Sequence, residues 1–435
     1  MSRGSAAAEP ARAAARAVSA ARLQERLEAM AEIGATGRGG VNRQALTPED
    51  VKARQLIVRW GQELGLEPFT DEIGNLFLRR PGTDAGSPPV LAGSHLDSQP
   101  TGGRFDGTYG VLAALEAVQA LDALGIKTAA PLEVAAWTNE EGARFSPGCL
   151  GSKAFADAGR LPALLAVKDL DGVSVADALI AARRAVPEAR LRPLGIPVKA
   201  YVEAHIEQGP VLESKGKTIG VVTGIAGRRS FRVEIRGEEA HAGTTPPSRR
   251  RDALASALRM IAGLERLMAD PSETVRFTVG RLVVSPNAPS VVPGAVLFTV
   301  DFRHPEESVW RRLGEQIEAV CAANAGPCTV TVTEVSTTRP IAFTGVVRDT
   351  IEAVTQRLGL SWMPILSGAG HDAENLALLC PTGMIFVPCE RGISHNESEN
   401  AAPADLTAGT QVLAGVLAEL AGAYDGRGPA SARTA

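Results

Sequence analysis

The sequence predicts an α/β fold with a mixed, mostly parallel sheet and a smaller α+β unit inserted into it. Apolar, β-branched runs alternate with helix-period segments at first, a strand-rich pattern follows, and the alternation then resumes. A chain of 435 residues is long enough for two domains. We therefore expect a discontinuous domain of residues 20–222 and 341–425, an insert of residues 223–340, and mobile tails at 1–19 and 426–435.

The first domain is predicted from short apolar runs and one clear helical stripe. Between two runs of strand length, apolar residues recur at intervals of one, three, three and three from Val111 to Leu121, which indicates one face of a helix. The predicted elements are strand Pro89–Ser94, helix Tyr109–Leu124, strand Leu132–Thr138, a helix after Arg348, strand Met363–Leu366, strand Met384–Val387 and helix Asp405–Leu420.

The insert is predicted from a change to longer strand patterns around two amphipathic helices. Its predicted elements are strands Ile219–Ile225 and Ser230–Arg236, helix Arg249–Met268, strands Val275–Val284 and Val296–Phe302, and helix Glu306–Ala323. This order is typical of a small α+β unit.

Composition excludes several classes of function. The formal charge of −4 gives no basic field for nucleic acid and no polybasic stripe for a membrane surface. The chain lacks an apolar run of spanning length and an apolar secretory core, and its five cysteines include no CxxC pair. We expect a globular cytoplasmic protein acting on a small molecule, although Ser2–Arg22 superficially resembles a transit segment.

Histidines and acids follow the predicted strands. His95 ends one strand run and Asp106 lies in the next loop, where ligand sites form at the carboxyl edge of open sheets. Both are candidate metal ligands. Asp97, two residues after His95, is expected to accept a hydrogen bond from the imidazole and orient it, a supporting role. Any one of these residues alone is more often a capping or loop residue.

Adjacent carboxylates and two further histidines complete the candidate set. Glu140 and Glu141 follow a strand, so one can bind a metal while the other acts as general base toward the activated water; spacing leaves open which does which. His205 and His395 add imidazole ligands. Histidine and carboxylate ligands suit two divalent ions that share a bridging carboxylate, with a mononuclear site as the alternative.

These motifs resemble the hydantoinase/carbamoylase family of amidases, a branch of the aminoacylase and carboxypeptidase group of metallohydrolases. The resemblance covers nearly the whole chain. It rests on Gly39–Arg43, Leu46–Asp50, Asp71–Asn75, Gly93–Gly107, Thr138–Phe145, His205–Pro210, His241–Pro246, Ser367–Asp372 and Ser394–His395. It implies a zinc-peptidase-like catalytic domain with an inserted dimerisation domain, and hence a homodimer.

The resemblance also implies roles at the metal site. Asp106 matches the residue that bridges two ions, which are zinc, manganese, cobalt or nickel. His95 and His205 match the other ligands of one ion, and Glu141 and His395 those of the second. Glu140 matches the general base.

Further roles implied by the resemblance concern the substrate. His241 matches a histidine that reaches the partner subunit's site and stabilises the oxyanion. Asn287 and Arg303 match residues that bind the substrate carboxylate, and Gln208 and Gly370 are weaker candidates. Without the resemblance, Arg303 would be interpreted as a solvated residue. The role of His371 is left open between structural hydrogen bonding and substrate contact.

The expected reaction is hydrolysis of an N-carbamoyl-L-amino acid to the L-amino acid, CO2 and NH3. Gln99–Arg104 favours this branch. Allantoate amidohydrolase and β-ureidopropionase are the alternatives within the family, because both need the same metals and base. A catalytically silent binding protein on the same fold is the alternative of a different class, disfavoured because every ligand position and Glu140 hold competent residues.

Overall fold

The computed structural model describes residues 4–424, and its architecture is α/β as predicted. The helices of this part of the chain are α1 (Gly4–Ala17), α2 (Ala20–Ala31), α3 (Pro48–Glu63), α4 (Thr108–Ala123), α5 (Leu150–Ala156), α6 (Leu161–Leu165), α7 (Val175–Ala185), α8 (Val211–Ser214), α9 (Ala253–Met268), α10 (Glu307–Ala323), α11 (Val346–Arg357), α12 (Ala373–Leu376) and α13 (Pro403–Leu420). Short 3-10 turns occur at Ala158–Arg160, Pro247–Arg249 and Glu390–Gly392.

The strands of the same residues are β1 (Glu67–Thr70), β2 (Leu76–Arg80), β3 (Val90–His95), β4 (Lys127–Thr128), β5 (Leu132–Trp137), β6 (Arg190–Leu191), β7 (Ala200–Ile206), β8 (Ile219–Ile225), β9 (Gly227–Arg236), β10 (Ala240–His241), β11 (Arg276–Ser285), β12 (Val291–Val292), β13 (Ala295–His304), β14 (Thr329–Thr338), β15 (Ile341–Ala342), β16 (Trp362–Ser367), β17 (Thr382–Val387) and β18 (Ala423–Tyr424).

The chain divides into two compact units. The first comprises the residues up to Thr223, Phe343–Ile365 and the residues from Gly370 onward, and the second comprises Gly224–Ala342 with Leu366–Ala369. The expected boundaries lay at 222/223 and 340/341, one to two residues away. The sequence did not predict that the short segment Leu366–Ala369 joins the second unit.

The central sheet of the first unit brings four strand ends to one edge. Along the strand order β8-β17-β7-β3-β5-β2-β1-β6, the neighbours β17, β7, β3 and β5 are parallel. These four strands are buried along their whole length, as parallel strands covered on both faces require. The carboxyl ends of these parallel strands therefore share one edge, the usual location of a ligand site in such sheets.

The amino-terminal segment is helical and packed, which corrects the mobile tail expected for residues 1–19. Helix α1 contacts α13 and α4, and its Ala11, Ala14 and Ala15 are at most 2% exposed. Alanine side chains are small, so helices that carry them can approach closely. The alanine-rich segment that was expected to be a mobile tail therefore forms a helix interface. The expected tail at 426–435 lies outside the described residues, as do residues 1–3.

The second unit has its own sheet and core. The antiparallel order is β11-β13-β9-β14, and α9 and α10 contact this sheet. Side chains alternate in burial along β13, and the buried ones, with those of both helices, form a separate hydrophobic cluster. One face of the sheet is thus covered by helices.

Residues 4–424 contain no helix with the length and apolar character needed to span a bilayer. The five cysteines are all free and buried.

Candidate metal centre

The predicted site residues of the first unit come from the carboxyl edge of its sheet. His95 is the last residue of β3, His205 is the next-to-last residue of β7, and Glu140 and Glu141 follow β5. Asp106 lies in the loop before α4, and the remaining residue of the set, His395, lies in the loop after β17. Four parallel strands thus supply the loops that meet here.

Asp106 lies between two groups of side chains. Its Oδ1 is 3.1 Å from His205 Nε2 and 3.7 Å from His95 Nε2. Its Oδ2 is 3.2 Å from His395 Nε2, and that nitrogen is 3.3 Å from Glu141 Oε2. The two oxygens of one carboxylate therefore face different partners, the arrangement of a carboxylate that bridges two ions.

The donor atoms fit a divalent metal. Ligand atoms of His95, Asp106 and His205 lie within 4.8 Å of one another, and so do those of Asp106, Glu141 and His395. Nδ1 of His95 hydrogen-bonds the carbonyl of Asp97 at 2.8 Å, and Nδ1 of His205 hydrogen-bonds that of Ile206 at 2.9 Å. These bonds place a proton on Nδ1 of each ring and leave Nε2, which faces Asp106, as the atom that would bind a metal.

A further group of possible donors lies behind this edge. Glu203 and His371 place ligand atoms within 4.8 Å of His205, and the His371 ring packs edge-on against the His205 ring with centroids 4.6 Å apart. Glu203 accepts hydrogen bonds from Ser94 and from the main chain of Ala373. His371 therefore packs directly behind a predicted ligand.

Buried charge at the site also fits a cation. Burial, together with nearby carboxylates such as Asp372 and Glu141, raises the pKa of Glu140, and burial with Asp106 raises the pKa of Glu141. Burial lowers the pKa of His95 to about 4, which keeps its imidazole neutral. The hydrogen bonds and charge of Asp106 outweigh burial and raise the pKa of His205 and His395 to about 9, so a bound metal would take the place of their protons beside Asp106.

Asp97 supports the site in a different way from the one predicted. The His95 ring hydrogen-bonds the main-chain carbonyl of Asp97, whereas the Asp97 carboxylate lies 3.8 Å from His95 Nδ1. That carboxylate instead accepts the main-chain N–H groups of Glu140 and Glu141, each at 3.2 Å. Asp97 thus orients the loop that carries the two acids.

Glu399 is a site residue that the sequence analysis missed, and it contacts Ser394, which that analysis gave only as part of a motif. Glu399 Oε1 accepts the main-chain N–H groups of Phe105 and Asp106 at 2.9 and 3.1 Å. Ser394 Oγ lies 2.9 Å from Glu399 Oε2 and 3.2 Å from Asp106 Oδ2. Glu399 ties the Asp106 loop to the His395 loop, and its position four residues after His395 was the only signal in the sequence.

Gln208 is placed at the site, and Gly370 directly precedes His371 in the chain. The Gln208 amide nitrogen lies 2.9 Å from Asp106 Oδ2, and the Gln208 backbone adopts a left-handed φ of 56°. Asn139 and His395 have similar φ values of 55° and 53°, and such strained positions cluster at functional sites. A side chain at Gly370 would begin 3.4 Å from Glu374 Oε2.

The other predicted substrate residues belong to the second unit. Exposed His241 pairs with Val291, and its Nδ1 accepts the N–H groups of Gly243 and Thr244 at 3.1 and 3.2 Å, so Nε2 carries the proton. In Arg303, Nε binds Asp301 at 3.0 Å and Nη1 binds the carbonyl of Gly368 at 2.7 Å.

Asn287 follows the cis bond Ser285–Pro286 and has φ 59°. Like His241 and Arg303, it belongs to the second unit.

Comparison with known proteins agrees with this geometry. Residues 91–419 match peptidase family M20/M25/M40. An N-carbamoyl-L-amino-acid amidohydrolase of Rhizobium meliloti is 40% identical over 93% of this chain and 97% of its own length. An allantoate amidohydrolase of Escherichia coli (strain K12) is 37% identical over 92% of this chain and 97% of its own.

A solved structure gives the same picture. A hydantoinase/carbamoylase family amidase from Burkholderia multivorans superposes with a TM-score of 0.87 at 44% identity, covering 93% of this chain and 98% of that one. The resemblance and the fold predicted from the motifs are thereby confirmed. The chain belongs to peptidase family M20/M25/M40, among the hydantoinase/carbamoylase amidases, and is a hydrolase of amide C–N bonds.

Proposed function

We propose that the protein hydrolyses the carbamoyl C–N bond of N-carbamoyl-L-amino acids with two divalent ions, yielding the L-amino acid, CO2 and NH3. The observation that carries this proposal is the position of Asp106, whose two oxygens face two separate groups of imidazole and carboxylate donors. His95 and His205 would complete one site, and Glu141 and His395 the other. Zinc, manganese, cobalt and nickel all accept such ligands.

Glu140 is the general base in this proposal. Ions bound at Asp106 would lower the pKa of a water in the site to about 7 and polarise the substrate carbonyl. Glu140 Oε2 lies 3.5 Å from His95 Nε2, at the edge of the donor set. Its raised pKa suits a group that accepts a proton from water and then returns it to the departing nitrogen.

His241 stabilises the charge that develops on the carbonyl oxygen. The N–H groups of Gly243 and Thr244 hold its Nδ1, so the imidazole presents an N–H at Nε2 while neutral. Loss of one such donor costs roughly 100- to 1000-fold in kcat.

The donor comes from a second copy of the chain. The His241–Pro246 motif resembles that of relatives in which this histidine reaches the partner subunit's site, which supports this part of the proposal and implies a homodimer.

Arg303 and Asn287 are the proposed ligands of the substrate carboxylate, and Gln208 and Gly370 are the weaker candidates. Arg303 is anchored through Nε and Nη1, so a substrate carboxylate reaches its free Nη2 edge or competes with Asp301. The five free cysteines support a reducing compartment, and we place the reaction in the cytoplasm.

Allantoate is the second candidate substrate, because an allantoate amidohydrolase is nearly as similar to this chain as the carbamoyl-amino-acid enzymes are. The deciding experiment measures ammonia release by metal-reconstituted protein from N-carbamoyl-L-methionine, its D-enantiomer, N-carbamoyl-β-alanine and allantoate. Selective turnover of the L-carbamoyl compound supports the proposal. Preference for allantoate or N-carbamoyl-β-alanine reassigns the substrate, and inactivity toward all four with metal bound refutes the proposal.

The dimer can be tested by mixing two inactive variants. In a mixed dimer of His241→Ala and Glu140→Gln subunits, the site with an intact Glu140 receives the intact His241 of the other subunit. Activity that appears on mixing supports action in trans. A mixture that stays inactive while mixed dimers are detected by mass spectrometry rejects it.

A further inference from the structure

A cysteine lies directly against the proposed base. Cys149 Sγ is 3.3 Å from Glu140 Oε1, and the thiol is buried. A thiol is a weak hydrogen-bond donor, and a carboxylate oxygen is an acceptor. The other carboxylate oxygen, Oε2, lies 3.5 Å from His95 Nε2. The two oxygens of Glu140 therefore have different partners.

The main chain fixes the thiol in place. N–H groups at the start of α5 bind successive carbonyls of the loop after β5: Cys149 to Glu140 at 2.8 Å, Leu150 to Asn139 at 3.2 Å and Gly151 to Thr138 at 2.8 Å. Cys149 itself has a left-handed φ of 56°. Three main-chain bonds thus hold the cysteine and the base in one rigid unit.

The thiol is a donor and not a thiolate. Burial, followed by the charges of Glu140 and Asp372, raises the pKa of Cys149 well above its usual value. The terminal torsion of a glutamate is broad, so a carboxylate without a fixed donor samples many orientations. A donor on Oε1 restricts that rotation.

We propose that Cys149 is a positioning residue for Glu140: its S–H group holds Oε1, so that Oε2 is the oxygen that accepts and returns the proton. The thiol proton itself is not transferred, because the proton taken from water moves to Oε2 and from there to the leaving nitrogen. This inference rests on the proposed function, in which Glu140 is the base.

The hydrogen bond is tested by infrared spectroscopy of the S–H stretch in the metal-reconstituted protein. The difference between wild type and Cys149→Ala identifies the Cys149 band. In Glu140→Gln, a neutral amide replaces the carboxylate, so this band should shift to higher wavenumber. The Cys321 band, from the second unit, is the internal control and should not move. A Cys149 band that is unchanged in Glu140→Gln overturns the proposal without involving turnover.

The positioning role is tested by kinetics of Cys149→Ala and Cys149→Ser, which have the same backbone demand at φ 56°. Cys149→Ala should lower kcat by roughly 2- to 10-fold with KM unchanged, the loss expected for one hydrogen bond. Cys149→Ser keeps a donor and should restore most of kcat. Equal kcat in the two variants overturns the proposal, whereas full turnover by Glu140→Gln refutes the proposed function itself.

Discussion

At Gly107, adding one methyl group should weaken metal binding in a protein that still folds. It has φ +63°, and a Cβ there would lie 2.3 Å from His95 Cε1 and 2.4 Å from both ring nitrogens. Ordinary contacts begin at 3.4 Å, so the imidazole would have to retreat by about 1 Å. Gly125, after the same helix α4, has φ +64° and nothing within 4 Å of its Cβ position. Gly125→Ala is therefore a matched control for Gly107→Ala.

Both substitutions place alanine at a positive φ, which costs roughly 1–2 kcal/mol of unfolding free energy in the left-handed helical region. Gly107 lies outside that region, with ψ −51°, so its backbone strain as alanine is larger. Gly107→Ala adds overpacking of about 1–3 kcal/mol. It also disturbs the His95 hydrogen bond to the Asp97 carbonyl, 2.8 Å long. A displacement of about 1 Å in a catalytic site costs roughly 100-fold in rate. We therefore expect kcat/KM to fall about 100-fold in Gly107→Ala and to stay near wild type in Gly125→Ala.

Three measurements on each variant decide the matter: urea unfolding, bound metal per subunit by elemental analysis, and kcat/KM. Gly107→Ala should lose metal as well as activity at urea concentrations where it is fully folded. If Gly107→Ala keeps wild-type metal content and kcat/KM, the structural reasoning about His95 is refuted. If Gly125→Ala loses activity to the same extent, the effect comes from backbone strain and not from the imidazole.

Further predictions concern the metal, the Asp106 loop, the thiols and the carboxylate clamp. Removal of metal by a chelator should lower Tm, and re-addition of metal should restore it, since a metal present at about 100 times its Kd stabilises the fold by about 2.7 kcal/mol. If re-adding metal leaves the Tm of the chelator-treated protein unchanged, the result contradicts a metal centre. Glu399→Gln should weaken metal affinity roughly 10- to 100-fold, because an amide oxygen is a weaker acceptor than a carboxylate for the main-chain N–H of Asp106. Competition with a metal indicator measures this affinity, and Glu390→Gln, on the exposed surface, is the control. Burial raises the pKa of Cys321, Cys380 and Cys389 to about 11, so at pH 8 roughly one thiol in a thousand is thiolate. A disulfide reagent should therefore label these cysteines only in denaturant, and labelling of the folded protein should increase as the pH rises toward 11. Rapid labelling of the folded protein at pH 8 would contradict their burial. Arg303→Gln should raise KM roughly 10- to 100-fold with little change in kcat, and this loss should vanish for a substrate whose carboxylate is amidated.

Local patterns predicted much of the first unit, but tertiary contacts decided the rest. Strands β3 and β5 and helix α4 were predictable because apolar runs and a helical stripe mark them directly. Helix α1 was not, since a segment of alanine and arginine has little hydrophobic signal, and its burial depends on close approach to α13. The strand order β17-β7-β3-β5 also depends on pairing between distant segments.

The error at Asp97 has the same origin. Spacing correctly indicated that Asp97 lies near His95, but the side-chain partners of Asp97 are the N–H groups of Glu140 and Glu141, more than 40 residues away along the chain. With the carboxylate engaged there, the main-chain carbonyl of Asp97 is left to orient the imidazole. Glu399 was missed for a similar reason, because its partners at Phe105 and Asp106 are nearly 300 residues away.

The charge of the site links these local interactions to the metal. Within the described residues, the ion pairs of Asp106, Glu140 and Glu141 are all with histidines. Burial lowers the pKa of one of these, His95, so at neutral pH it contributes no positive charge. Burying carboxylates without a cation costs folding free energy. The carboxylates of Asp97 and Glu399 nonetheless hold the loops of the site together, because they accept the main-chain N–H groups of Glu140 and Asp106. The hydrogen bonds and charge of Asp106 outweigh burial and raise the pKa of His205 and His395 to about 9. Divalent ions bound at Asp106 would therefore displace these two protons, and changes at Glu399 or Gly107, which alter the positions of Asp106 and His95, should weaken metal binding.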